Sequence, residues 1–139
     1  MFGRVLIANR GEIALRISRA LRKLGCEVAI IYGREDRLSL PVRFSDIAVA
    51  NYATNPLDSY LDYEKVIAAA KDIGAEAIHP GYGFLAENAA FARRCEEEGI
   101  TFIGPSSDVI SLLGDKIEAR RIMEEAGLPV AKGSSKPIA

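Results

Sequence analysis

The sequence predicts an α/β domain with a doubly wound, mostly parallel sheet of five strands and helices on both faces. Short apolar runs, too brief for helices, alternate with segments whose apolar residues recur at helical spacing. The connections are short, so each helix crosses over and returns the next strand parallel to the last. The length, 139 residues, suits one such domain.

Val5-Leu6-Ile7-Ala8 reads as the first strand, apolar on both faces as a sheet covered by helices requires. From Gly11 onward, Ile13, Ile17, Ala20, Leu21 and Leu24 fall on one helical stripe, leaving Arg16, Arg19, Arg22 and Lys23 to other faces. Gly25 ends that helix, Val28 to Tyr32 is the second strand, and Gly33 to Arg37 is a polar turn. A short helix around Val42 to Phe44 tolerates Pro41 only in its first turn. Ile47-Ala48-Val49 is a weaker third strand, and Asn51 to Ser59 is a loop broken at Asn55-Pro56. The helical period returns from Tyr63, with Val66, Ile67, Ala70 and Ile73 on one side. Ala75 to Ile78 is the fourth strand, Pro80 to Gly83 a loop, and the following helix turns Ala89, Phe91, Ala92 and Cys95 inward. Thr101-Phe102-Ile103 is the fifth strand, and Pro105-Ser106-Ser107 starts a helix carrying Val109, Ile110, Leu112 and Leu113. After Gly114 a last helix runs from about Lys116 to Ala126. The whole reads as a Rossmann-like unit over 1–126, with 127–139, rich in Gly, Ser, Pro and Lys, as a linker toward a further domain.

Hydrophobic residues make up 49% of the chain, enough for a buried core. Eighteen basic residues against 19 acidic ones leave a net charge of -1, which gives no electrostatic case for a nucleic-acid partner. Cys26 and Cys95 each sit in an apolar pattern and read as buried free thiols, which fits a reducing compartment. No apolar run is long enough to cross a membrane, so no membrane partner is expected and the expected setting is the cytoplasm.

In open α/β sheets, ligands bind beyond the carboxyl ends of the strands. Three segments fall there. Ala8-Asn9-Arg10-Gly11-Glu12-Ile13-Ala14 occupies the place of a dinucleotide phosphate loop, and Asp36 sits near the place of a ribose-binding acid. The loop has one glycine where the dinucleotide fingerprint needs three, which argues against NAD or FAD. The structural alternative is an Arg10–Glu12 ion pair stabilising the turn. In the second segment, His79 to Asn88, glycines flank Tyr82 and let backbone approach a ligand closely. His79 alone reads as a hydrogen-bonded structural residue, since one histidine without a nearby Cys ligand makes no zinc site. The third segment places Lys116 just after Gly114-Asp115 at a helix start, able to meet a phosphate as a point charge or to remain a solvated surface charge. From the residues alone, this is a ligand-binding or scaffold α/β domain.

Val5 to Ala14 closely resembles the opening of the biotin carboxylase family. Ala77-Ile78-His79-Pro80-Gly81-Tyr82-Gly83-Phe84-Leu85 with Glu87-Asn88, then Phe102-Ile103-Gly104-Pro105-Ser106, then Gly114-Asp115-Lys116, resemble further signatures of that family in the same order. Together they span nearly the whole chain.

The resemblance implies a pre-ATP-grasp domain preceding a lid and a larger catalytic domain. The family's complete enzyme uses MgATP to activate bicarbonate and carboxylates biotin on its carrier protein. By position, Lys116 matches a lysine that contacts ATP, Tyr82 and Gly83 match the loop on the biotin side, and Glu87 takes a supporting role. Arg16 and Arg19 match a subunit interface on the first helix, which makes a homodimer an expected assembly. Lys23 departs from an acidic residue seen in some dimeric relatives, and Pro41 stands where many members have His. No catalytic residue and no metal ligand is expected within the chain. ATP, Mg²⁺ and biotin are cofactors of the complete enzyme, and none is expected to bind tightly to this chain alone. The implied partners are an ATP-grasp domain, the biotin carboxyl carrier protein and a carboxyltransferase subunit. A non-catalytic binding or assembly module built on the same fold is the alternative.

Overall fold

Strands β1 (Arg4–Ile7), β2 (Glu27–Tyr32), β3 (Ile47–Ala50), β4 (Ala77–His79) and β5 (Thr101–Phe102) form one sheet in the order β3-β2-β1-β4-β5. Every pairing in it is parallel. These are the features of a computed structural model that describes residues 1–131; the remainder of the expected linker, 132–139, lies outside the described residues.

The period of two along each strand divides the apolar residues between two cores. Leu6, Ala29, Ile31 and Ile78 face one side, while Val5, Ile7, Val28, Ile30 and Ala77 face the other. Helix α1 (Gly11–Lys23) covers the second face with Ala14, Ile17 and Leu21, and α2 (Leu40–Phe44) adds Val42 at its margin. Helices α3 (Asp58–Leu61), α4 (Tyr63–Asp72) and α5 (Ala89–Glu97) cover the first face. Phe91 is fully buried there, with its ring edge-on to Phe102 at a centroid distance of 5.7 Å. Ile110 of α6 (Ser107–Gly114) closes this core, whereas α7 (Lys116–Glu125) buries no residue. Two i,i+4 ion pairs lie along α7, Arg120–Glu124 at 3.1 Å and Arg121–Glu125 at 2.5 Å. Both cysteines are buried free thiols, and no helix of the described residues is long and apolar enough to cross a membrane.

Two local expectations are corrected. The polar turn after β2 contains a single turn of 3₁₀ helix, Arg34–Asp36. The segment expected to be loop up to Ser59 already enters α3 at Asp58. Tyr60, 4% exposed, is drawn into the core, and that tertiary contact outweighs the breaker at Asn55-Pro56.

The strand order decides where a ligand can sit. β2 and β3 lie on one side of β1, β4 and β5 on the other, so the winding reverses between β1 and β4. The turn after β1 and the loop after β4 therefore meet beyond the carboxyl ends of these strands, the place where open α/β sheets take ligands.

Candidate functional site at the switch point

Asn9 lies two residues beyond the end of β1 and is only 1% exposed. Its Nδ2 donates to the carbonyls of Pro80 at 2.7 Å and Tyr82 at 2.9 Å, and its Oδ1 accepts from the Arg10 N–H at 2.8 Å. One side chain thus ties the loop after β4 to the turn after β1. The polar group satisfies its own burial in doing so. Gly81 makes the close approach possible: its φ is +67°, and a Cβ there would lie 2.7 Å from Asn9 Nδ2. The next residues keep the unusual path, with Gly83 at φ +64° and Phe84 at φ +42°. Phe84 is held there against Tyr60 at a ring distance of 5.5 Å.

His79 Nδ1 accepts the Gly81 N–H at 3.0 Å, which requires the neutral ring with its proton on Nε2. Burial lowers the pKa of His79 in the same direction. The histidine therefore shapes the loop as a structural acceptor, as its sequence context suggested.

The Tyr82 hydroxyl donates to Glu12 Oε1 at 2.7 Å, from the loop to the first turn of α1. The alternative of an Arg10–Glu12 ion pair is not realised. Arg10 instead makes a two-pronged pair with Asp36, Nε–Oδ2 at 2.6 Å and Nη2–Oδ1 at 2.8 Å. Tyr60 donates to the same Asp36 Oδ2 at 2.5 Å and accepts the Gly33 N–H at 2.9 Å. The Arg10 guanidinium holds the Asp36 carboxyl below the usual carboxylate range, and burial together with Asp36 pushes Tyr60 up to about 12. Asp36 is consumed by this triad, so the acid that a dinucleotide ribose would require is taken.

Asp115 caps α7 by accepting the Ile117 and Glu118 N–H groups at 2.9 and 3.1 Å, which sets Lys116 at the first helical position. Lys116 is exposed. It borders a cleft of about 380 Å³ with Glu87, Ala86, Val109, Ile110 and Leu113. Glu87 and Lys116 therefore share a cleft, while Tyr82 and Gly83 lie earlier in the same loop, with the Tyr82 hydroxyl on α1. Arg16 and Arg19 are both exposed on α1. Arg16 borders a separate apolar groove of about 750 Å³ lined by Met1, Phe2, Ile13, Leu24 and Ile103. Asn9, Asp36 and Tyr60 were not singled out from the sequence as one connected arrangement. The available signal was a polar residue, Asn9, placed at the end of a strand buried on both faces.

One cation beside an apolar wall fits one side of a nucleotide site. Among the described residues, no group of three or more His, Cys, Asp or Glu side chains is placed to hold a metal ion.

Fold and site together define an open α/β domain of the doubly wound class, with its winding reversed between β1 and β4. Residues 1–110 match the model of the biotin carboxylase N-terminal domain, and the chain belongs to that family. It is 52% identical over 134 residues to the 2-oxoglutarate carboxylase small subunit of Hydrogenobacter thermophilus, covering 96% of this chain and 28% of that protein. It is 48% identical to the biotin carboxylase of Pseudomonas aeruginosa, covering 99% of this chain and 31% of that protein. Among solved structures, the biotin carboxylase domain dimer of the Hydrogenobacter enzyme, in complex with MgADP, ADP and bicarbonate, superposes with a TM-score of 0.92 at 51% identity. That match covers 97% of this chain and 30% of the other. The chain spans less than a third of the length of the curated relatives it matches.

Proposed function

We propose that this chain acts within an ATP-dependent biotin carboxylase as the domain that borders both substrates, while a further domain performs the phosphoryl transfer. ATP, when bound, supplies the phosphoryl group that activates bicarbonate for transfer to a biotin ureido nitrogen. Lys116 contacts the nucleotide as a point charge at the start of α7. Tyr82 and Gly83 line the biotin side of the site, and Glu87 supports the cleft that Lys116 borders. Stabilising a phosphoryl transfer takes a metal and several positioned cations. Lys116 alone does not supply these, so an ATP-grasp domain is the first partner. The biotin carboxyl carrier protein and a carboxyltransferase are the next, and the latter chooses the final acceptor.

The observation that carries this reading is the loop from Pro80 to Asn88. Its first half crosses the switch point at Tyr82, and its second half lines the cleft that Lys116 borders. One rigidly pinned segment thus separates two neighbouring subsites. The apolar groove beside Arg16 favours a second reading, an assembly module whose α1 face meets another chain.

The test is a chimera joining this chain to the ATP-grasp region of the Pseudomonas aeruginosa relative, assayed for biotin-dependent phosphate release from MgATP and bicarbonate. We expect activity in the chimera, none from the chain by itself, and a raised KM for ATP in Lys116→Ala. A folded chimera without activity, or one indifferent to Lys116→Ala, would refute the substrate-bordering role and leave the assembly module.

A further inference from the structure

We propose that Glu12 is the positioning residue for Tyr82, its carboxylate holding the phenol ring at the β1–β4 switch point. The inference rests on the function proposed above for its consequence on biotin, but its geometry stands separately. Two side chains reach the loop from the segment that follows β1, Asn9 in the β1–α1 turn and Glu12 in the first turn of α1. Asn9 pins the backbone from beneath through the Pro80 and Tyr82 carbonyls. With Gly81 and Gly83 both in the left-handed region, the path of the main chain is set, and the torsions of the Tyr82 side chain remain.

Packing does little to fix those torsions, because Tyr82 is 61% exposed. The hydrogen bond from its hydroxyl to Glu12 Oε1, at 2.7 Å across 70 residues of sequence, does fix them. Glu12 is suited to the task. It lies in the first turn of α1, where the helix dipole favours a negative group. Arg10, the nearest basic residue in sequence, is committed to Asp36 and does not compete. The ring is thereby held as an aromatic wall of defined orientation, against which the hydrocarbon side of a cis-fused bicyclic ligand such as biotin can pack. The same bond raises the pKa of Tyr82, since a neighbouring carboxylate opposes formation of phenolate.

The test uses the full chain labelled at tyrosine Cζ, titrated by NMR, with Tyr82→Phe to assign the signal. In Glu12→Ala the Tyr82 phenol should titrate lower than in wild type, near the ordinary value of about 10. Glu12→Gln keeps an acceptor oxygen without the charge, so it should lower the titration while preserving the ring's order. In the active carboxylase, Glu12→Ala should raise the KM for biotin about three- to tenfold and leave the KM for ATP in place, as expected for loss of one hydrogen bond on a solvated group. Glu12→Gln should recover most of that loss. An unchanged Tyr82 titration in Glu12→Ala overturns the proposal, and so does an unchanged biotin KM in an active enzyme. If even the wild type shows no biotin-dependent turnover, the proposed function falls, and the positioning role is decided by the titration alone.

Discussion

Replacing Asn9 by Asp keeps the shape of the side chain and reverses the sense of its bonds. In the native protein Nδ2 faces two carbonyl oxygens, at 2.7 and 2.9 Å. Asn9→Ala removes both donors and the acceptor of the Arg10 N–H. The Pro80 carbonyl is buried and bears the full penalty, while the other two groups lie nearer water, for about 3 kcal/mol in all. In Asn9→Asp at pH 8, a buried carboxylate oxygen replaces the donor, and the cost should be larger, about 3–5 kcal/mol. That is a large share of the roughly 5–15 kcal/mol that holds a domain of this size together. Protonation changes the sign of one contact, since a neutral carboxyl can donate to one of the two carbonyls. The folded state then binds a proton more tightly than the unfolded chain, so the variant should regain stability as pH falls. Guanidinium unfolding midpoints of wild type, Asn9→Ala and Asn9→Asp at pH 8 and pH 5 measure this directly. Asn9→Asp should be the weakest at pH 8 and approach Asn9→Ala at pH 5. If Asn9→Asp matches wild type at pH 8, the side chain does not hold the loop in the way described, and the pinning argument fails.

Tyr60→Phe removes the donor to Asp36 and the acceptor of the Gly33 N–H, and should cost about 1–3 kcal/mol in a urea titration. With the Tyr60 pKa pushed up to about 12, the wild-type contribution is complete below about pH 10 and fades as pH rises toward 12, so the variant should lack this alkaline loss. Phe91→Ala opens a cavity between Tyr63 and Phe102 and should lower stability by about 3–5 kcal/mol; a loss below 1 kcal/mol would contradict its place at the centre of the core. His79 is the sole histidine of the chain, so its ring signals are unambiguous in NMR. It should titrate below about 6.5, and the stability it contributes should be present above that pH and decline as pH falls toward its lowered value.

Much of the architecture was legible because it depends on local periodicity. Val5 to Ala8 had to be covered on both faces, and the stripe from Ile13 to Leu24 had to be a helix with one apolar side. The boundaries moved by a residue or two, as strand ends do when ladder bonds rather than composition decide them. The α3 segment was missed because the anchoring burial of Tyr60 is a property of the assembled core. The site was legible in outline only. Its segments fall at strand ends in the sequence, yet the partner that spacing offers Arg10 is Glu12, two residues away, whereas Asp36, 26 residues on, takes it.

The sequence by itself determined the class of fold, the two-faced core, the loop that carries Tyr82 and Gly83, and the family whose signatures the chain bears. Each of these follows from residues close together in the chain, where pattern and propensity act. Only the tertiary structure decided the strand order, which places β4 beside β1 and so brings Asn9 under Pro80 and Glu12 to Tyr82. It also decided that Asp36 serves Arg10 and Tyr60, because the parallel strands β1 and β2 lead into their loops at the same carboxyl end of the sheet, and α3 packs against β2. Such contacts join residues 24 to 73 positions apart, and no local pattern encodes them. They arise when burying both faces of the sheet fixes which strands are neighbours, and the polar groups at the strand ends then find partners across the gap.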